Sequence, residues 1–121
     1  MNFIFSLYWI MIVGVWYFAN GILHDIFVLI RHKDGYNRDL LRLLMDGHVL
    51  ALSGLILGFC YYMMRQNIVY GAWISIIIGI FMLIYCAMIW PFLKSMVTVT
   101  LSIILIIVSI KALNSMSINP I

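Results

Sequence analysis

Four long runs of apolar residues fill most of this 121-residue chain, and short polar segments separate them. The runs cover about residues 3–30, 38–64, 69–91 and 95–113. A helix that crosses the hydrocarbon layer of a membrane needs about 20 residues, and each run is close to that length or exceeds it. The pattern therefore predicts an all-α polytopic membrane protein, with four transmembrane helices packed as an up-down bundle in a single domain.

The boundaries of the runs carry turn and capping residues. An Asp-Gly pair at residues 34–35 marks the first turn, and Asn37 is placed to cap the second helix. Pro91 marks the end of the third helix because proline cannot continue the helical hydrogen bonds. Residues 114–121 follow the last run and predict a weakly ordered tail.

The composition supports a membrane environment over water. Hydrophobic residues make up 66% of the chain and charged residues only 9%, whereas soluble domains carry about 25% charged residues. The formal net charge is +3, but no basic run is interleaved with aromatic residues on a polar face, as nucleic-acid binding would require. We therefore expect a lipid bilayer as the surroundings and no nucleic acid as a partner.

The distribution of basic residues predicts the orientation in the membrane. Five of the seven Lys and Arg residues flank the first and third predicted loops: Arg31, Lys33, Arg38, Arg42 and Lys94. Arg65 and Lys111 lie toward the opposite end. Since basic loops are retained in the cytoplasm, this bias predicts that both termini are non-cytoplasmic, in a bacterial inner membrane or an equivalent membrane.

Small residues at four-residue spacing predict close contacts between helices. Helices in lipid gain little from hiding apolar surface, so they associate where small side chains let their backbones approach. Gly54 and Gly58 form such a pair on the second run, and Gly71, Ser75 and Gly79 repeat the spacing on the third. These residues predict packing faces, either within one bundle or between the subunits of an oligomer.

A few strongly polar side chains interrupt the first two apolar runs: Asn20, His24, Asp25, Arg42, Asp46 and His48. His24 lies seven residues before Arg31, and His48 lies six residues after Arg42. At 1.5 Å of rise per residue, both histidines are roughly 9–10 Å from the same loop. Antiparallel helices would therefore place the two imidazoles at one level of the membrane.

Helical rotation limits how these polar groups can meet. Asp46 and His48 are two positions apart and so differ by about 200° around the helix, while His24 and Asp25 differ by about 100°. We therefore expect at most one group of the second helix to meet the polar face of the first, unless Gly47 distorts the helix locally.

Three interpretations of the polar cluster stay open. In the first, these groups lie at the headgroup border and hold the first hairpin together, with Arg42 and Asp46 paired four residues apart. In the second, a His and an Asp form a titratable pair that relays protons or lines a path for an ion or solute, because imidazole titrates near pH 6.5. In the third, His24 and His48 bind a metal ion or bracket a haem.

No sequence motif assigns chemistry to the chain. It contains no GxSxG, HExxH, phosphate-binding loop or dinucleotide fingerprint, so an enzyme is not indicated and no cofactor follows. Cys60 and Cys86 fall at opposite ends of the bundle, which is too far apart for a disulfide within one subunit.

Two functional hypotheses remain from the sequence. The leading one is an accessory or scaffold subunit of a homo-oligomer or of a larger membrane complex, because the chain has several faces suited to helix contact and little loop to recognise a ligand. The alternative is a small oligomeric transporter or channel that uses the His and Asp level for protons, ions or a small solute.

Overall fold

The computed structural model describes residues 3–91 and 94–118, and it describes side chains of the last helix as far as Met116. Four α-helices make up this part of the chain: α1 (Phe3–Arg31), α2 (Arg38–Arg65), α3 (Tyr70–Ile89) and α4 (Met96–Ile118). The described residues contain no strand. The predicted all-α, four-helix fold is confirmed.

The helices form a closed ring in which each helix has two main neighbours. α1 packs against α2 and α4, and α3 packs against α2 and α4. The short loops between consecutive helices bring them back antiparallel to one another. The buried centre is apolar and includes Ile10, Tyr17, Leu57, Met64 and Leu105. All four helices are long and apolar enough to cross a membrane.

The outer surface of the ring consists mainly of large apolar side chains. Phe59 is 69% exposed, Phe81 66% and Met88 72%, a distribution that suits a lipid surrounding and would be unfavourable in water. The 20 residues of α3 span about 30 Å, which matches the hydrocarbon layer. The 29 residues of α1 span about 43 Å, so this helix must tilt or project beyond that layer.

The helix boundaries agree with the sequence at the start of α2 and differ at the end of α4. The Asn37 side chain accepts a hydrogen bond from the Leu40 backbone N–H at 2.9 Å, which confirms the predicted cap. The prediction of a weakly ordered tail from residue 114 was wrong for residues 114–118, which continue the helix. Ala112 and Met116 are buried in the core, and this packing extends the helix beyond its most apolar stretch. Residues 119–121 lie outside the described part.

The third helix is slightly shorter than predicted. It begins at Tyr70 and ends at Ile89, so Pro91 lies just outside it, where its missing N–H costs no helical hydrogen bond.

The predicted packing residues fall on several different surfaces. Gly54 is buried against α1, Gly71 against α2, and Gly79 against Ile106 of α4. Ser75 is fully buried and donates a hydrogen bond to the Gly71 carbonyl at 2.8 Å. Gly58 is different, because it is exposed and a Cβ built on it would meet nothing within 4 Å.

Candidate functional site

Glycines bring the backbones of α1 and α2 together beside the polar cluster. A Cβ built on Gly21 would collide with the Gly47 carbonyl oxygen and would lie 2.6 Å from the Ala51 nitrogen. A Cβ built on Gly47 would collide with the Asp25 carboxylate. The Asp25 side chain therefore lies directly over the Cα of Gly47, in a space that any larger residue at position 47 would fill.

The Asp25 carboxylate lies between two imidazoles. Its Oδ2 is 2.7 Å from His48 Nδ1, and its Oδ1 is 3.6 Å from His24 Nδ1. The Asp25 side chain is only 13% exposed, whereas that of His48 is 75% exposed. The carboxylate is thus enclosed by the helix pair, while one of its imidazole neighbours reaches the outside.

The surroundings of His48 determine which ring nitrogen carries a proton. Its Nδ1 lies 2.8 Å from the Leu44 carbonyl oxygen as well as 2.7 Å from Asp25 Oδ2. Both neighbours are hydrogen-bond acceptors when the carboxyl group is ionised, so Nδ1 must carry the proton and donate it. The Nε2 of His48 is then free to take up a second proton at the exposed side.

The contact between His24 and Asp25 is incomplete. His24 Nδ1 and Asp25 Oδ1 are both buried atoms without a hydrogen-bond partner. They face each other at 3.6 Å, which is just beyond hydrogen-bonding distance. Buried polar atoms are nearly always paired, so this gap is an exception.

A cavity of about 390 Å³ opens beside His24, on the inner side of the bundle. All four helices or their ends contribute to it. Its polar lining consists of Asn20, His24, Asp46, Tyr85, Ser95 and Thr98, and its remaining lining consists of Leu43, Leu50, Cys86 and Ile89. The Tyr85 side chain lies beside the Asp46 carboxylate and interacts with it.

Hydrogen bonds between α1 and α4 hold one wall of the cavity. Trp16 Nε1 donates to Thr98 Oγ1 at 3.3 Å, and Ser95 Oγ donates to the same oxygen at 2.7 Å. Ser102 Oγ donates to the Thr98 carbonyl, so the Tyr17 hydroxyl must be the donor in its hydrogen bond with Ser102 Oγ. These bonds fix the position of Thr98 at the edge of the cavity.

The cavity lies near the basic end of the bundle. Tyr85 stands four residues before the last residue of α3, Ile89, which places it about 6 Å inside that helix end. His24 and Asp46 line the same cavity and therefore lie at a similar depth.

The structure brings the predicted polar residues of α1 and α2 together on two sides of the helix contact. His48 of α2 contacts Asp25 of α1, and Asp46 lies on the other side of α2, where it lines the same cavity as His24 and Asn20. The backbones approach so closely at Gly21 and Gly47 that side chains on both sides of the contact can reach the neighbouring helix.

Arg42 does not form the contact that the first interpretation gives it. That interpretation pairs Arg42 with Asp46, but within residues 3–91 and 94–118 the ion pairs under 4 Å both involve Asp25 and a histidine. Arg42 is exposed instead, where its charge stays hydrated at the basic end of the bundle.

The metal and haem interpretation finds no support in the geometry. The described residues contain no group of three or more His, Cys, Asp or Glu side chains placed to hold a metal ion. At their Nδ1 atoms, His24 and His48 share the Asp25 carboxylate as a neighbour.

Sequence reasoning identified the polar groups of α1 and α2 but missed the contributions of α3 and α4. Tyr85 and Ser95 line the cavity, yet a tyrosine near the end of an apolar helix also suits the membrane border. Thr98 carries a usable signal, since its hydroxyl repeats four residues later at Ser102. The two cysteines are free, and only Cys86 lines the cavity.

Together, the fold and the site define a four-helix integral membrane protein with, at one end, a largely apolar cavity that several polar side chains line. No protein family, curated protein or solved structure matches the chain in comparisons of sequence and fold. We therefore infer the function from the geometry of the cavity and of the Asp25 cluster.

Proposed function

We propose that this protein binds a small polar solute in the four-helix cavity and acts as a small transporter or channel subunit. The observation that carries this proposal is that each of the four helices places a polar side chain at one otherwise largely apolar cavity of about 390 Å³. Cavities of about 300–1,000 Å³ are typical of small-molecule sites. Polar groups are costly at membrane depth, and their convergence on one space supports a binding role.

The charges of the lining favour a solute that carries an ammonium group or another cation. Asp46 forms no ion pair under 4 Å within the described residues, so a bound cation would supply the missing counter-charge. Asn20 and Thr98 add groups that can form hydrogen bonds to the rest of the solute. A small amine or a hydrated monovalent cation fits this combination.

The basic residues support an orientation for this site. Because basic loops stay in the cytoplasm, we propose that the cavity lies near the cytoplasmic face and that both termini are on the other side, in a bacterial inner membrane or an equivalent membrane. The solute would then enter from, or leave to, the cytoplasm.

Thermal unfolding of the purified protein in detergent tests the proposal with simple probes. Propylammonium and propionate have similar size and opposite charge. We expect propylammonium to raise the unfolding midpoint in a concentration-dependent way, because a ligand that binds only the folded state stabilises it. Propionate should not do so, and Asp46→Asn should remove the effect of the amine. Equal responses to both probes, or no response to either, would contradict the proposal.

A second candidate function, the accessory or scaffold subunit, is favoured by the environment of Gly58. This glycine is exposed and borders an apolar groove between α1 and α2 that includes Val15, Phe18 and Leu55. A small residue at such a position would let a helix of a second copy approach closely. Crosslinking in lipid vesicles tests this: Gly58→Ile should lower the dimer yield, and an unchanged yield would count against a contact at this face.

A further inference from the structure

Three side chains form a continuous line from the outside of the helix pair to the cavity. His48 is largely exposed, Asp25 lies between the helices, and His24 lines the cavity. The two nitrogen-to-oxygen distances in this line are 2.7 Å and 3.6 Å, and both end on the same carboxylate. We propose that His48, Asp25 and His24 form a proton-exchange path between the exposed flank of the α1–α2 pair and the cavity.

The lack of hydrogen-bond partners on the facing atoms of His24 and Asp25 supports this path. The two facing atoms are buried and have no hydrogen-bond partner, and if they approached by a few tenths of an ångström, one proton between them would form a hydrogen bond in either of two ways. Either His24 Nδ1 carries the proton and donates to the carboxylate, or the carboxyl group carries it and donates to the imidazole. A site that accepts a proton from either side is what a transfer path requires.

The transfer balances as a sequence of simple steps. His48 takes up a proton at Nε2 and becomes an imidazolium. Its Nδ1–H bond then breaks as an O–H bond forms at Asp25 Oδ2, which leaves a neutral imidazole and a carboxylic acid. A half-turn of the carboxyl group exchanges its two oxygens, and the proton passes to His24 Nδ1. His24 releases its Nε2 proton into the cavity, so one proton has moved and no charge has been created.

After one transfer, each imidazole holds its remaining proton on the opposite nitrogen from before. A ring flip or a proton exchange with water restores the starting tautomers. His24 lines the cavity, and the exposed His48 lies only six residues beyond Arg42 at the basic end of the bundle, so each ring can reset at its own end of the path.

The other charged and titratable groups near the path are few. α2 contributes Asp46 and α3 contributes Tyr85 and Cys86 to the cavity next to His24, while α4 and the segment before it contribute uncharged hydroxyls. Asp25 is therefore the acidic group that bridges the two imidazoles, since Asp46 forms no ion pair with either ring under 4 Å in the described part of the chain. The path does not depend on the solute proposed above.

Nuclear magnetic resonance of the ¹⁵N-histidine-labelled protein in lipid nanodiscs tests the path. His32 serves as an internal reference, because it lies in the first loop, where its Nε2 donates to the Gly35 carbonyl. In the unmodified protein we expect neutral His48 to be the Nδ1–H tautomer. As the pH is lowered, the ¹⁵N chemical shifts of His24 should change at the same pH at which His48 takes up its proton. In Asp25→Asn the His24 signals should no longer follow His48, and the His32 signals should stay unchanged.

A second variant keeps the test informative if Asp25→Asn disturbs the helix contact. His48→Gln changes an exposed side chain, so the fold should persist. The His24 chemical shifts should then lose the pH-dependent change that accompanies the protonation of His48. The exchange of the His24 ring N–H with water should also slow. Independent titration of His24 and His48 in the unmodified protein, or coupling that persists in Asp25→Asn, would overturn the path. Loss of amine binding alone would leave it standing.

Discussion

The two helical hairpins of this protein pack by different means. In the α1–α2 hairpin, backbone meets backbone: a Cβ built on Gly54 would lie 2.5 Å from the Gly14 carbonyl oxygen, and Gly21 faces Gly47 in the same way. In the α3–α4 hairpin, a Cβ built on Gly79 would meet the side chain of Ile106 at 2.6 Å. A backbone contact cannot relax by a change of rotamer, whereas a side-chain contact can.

This difference in packing matches the part of the site that each hairpin forms. The Asp25 cluster depends on distances between side chains of α1 and α2, and a backbone contact next to it keeps these distances short. The cavity is bounded on its other side by α3 and α4, where looser contacts would let the wall adjust to a solute. We therefore expect the first hairpin to hold the Asp25 cluster rigidly and the second hairpin to form the adaptable wall of the cavity.

The largest expected effect comes from a side chain placed in the α1–α2 contact. Gly21→Ala forces a methyl group against the backbone of Gly47 and Ala51. We expect it to lower the free energy of unfolding by about 3 kcal/mol, at the upper end of the usual cost of overpacking. Unfolding in mixed micelles with increasing dodecyl sulfate measures it. Gly58→Ala is the matched control and should change little, because its added methyl group meets nothing.

A smaller loss is expected for the corresponding change in the second hairpin. Gly79→Ala places its methyl group against the Ile106 side chain, which can move. We expect a cost of about 1 kcal/mol, at the lower end for overpacking, in the same unfolding assay. If Gly79→Ala destabilised the protein as much as Gly21→Ala, the contrast between the two hairpins would be lost.

The hydrogen bonds between α1 and α4 should contribute less than the glycine contact. Tyr17→Phe removes the bond to Ser102 Oγ but keeps the ring and leaves the Ser102 bond to the Thr98 carbonyl in place. We expect a cost of about 0.6–1 kcal/mol, as for other hydrogen bonds between membrane helices. A loss above that of Gly21→Ala would mean that the α1–α4 seam, and not the α1–α2 contact, dominates stability.

The smallest effect is expected at Ser109. Its Oγ is buried and has no hydrogen-bond partner, so the hydroxyl contributes a desolvation penalty without compensation. Ser109→Ala should therefore leave the free energy of unfolding unchanged or raise it by up to about 1 kcal/mol. A clear loss of stability in the same assay would show that this hydroxyl has a role in packing.

Much of the fold follows from the apolar pattern because lipid restricts a chain to few solutions. Four runs of sufficient length with short loops leave little alternative to an up-down bundle, and Asn37 marks the start of α2 through its own side chain. The end of α4 was harder to predict, since Asn114 and Ser115 look like a tail and the burial of Met116 depends on its neighbours in space.

Only part of the site could be predicted from the sequence, and the reason is physical. Charged and imidazole groups in an apolar helix stand out in a sequence, so His24, Asp25, Asp46 and His48 could be named. Tyr85 and Ser95 could not, because hydroxyl groups are tolerated at many positions in membrane helices and only the packing of α3 and α4 brings these two to the cavity. Helical rotation separates Asp46 from His48, and in the structure His48 contacts Asp25 while Asp46 lines the cavity with His24.

The accessibility of the two cysteines tests most directly whether the cavity is a solute site. Both cysteines are buried, but Cys86 lines the cavity, whereas Cys60 lies toward the other end of the bundle, next to Gly71. In the folded protein in nanodiscs, we expect a small cationic methanethiosulfonate reagent to modify Cys86 and not Cys60. A reagent of similar size with a negative charge should react more slowly, and Asp46→Asn should reduce the difference. Equal inertness of Cys86 and Cys60 toward both reagents would contradict the account.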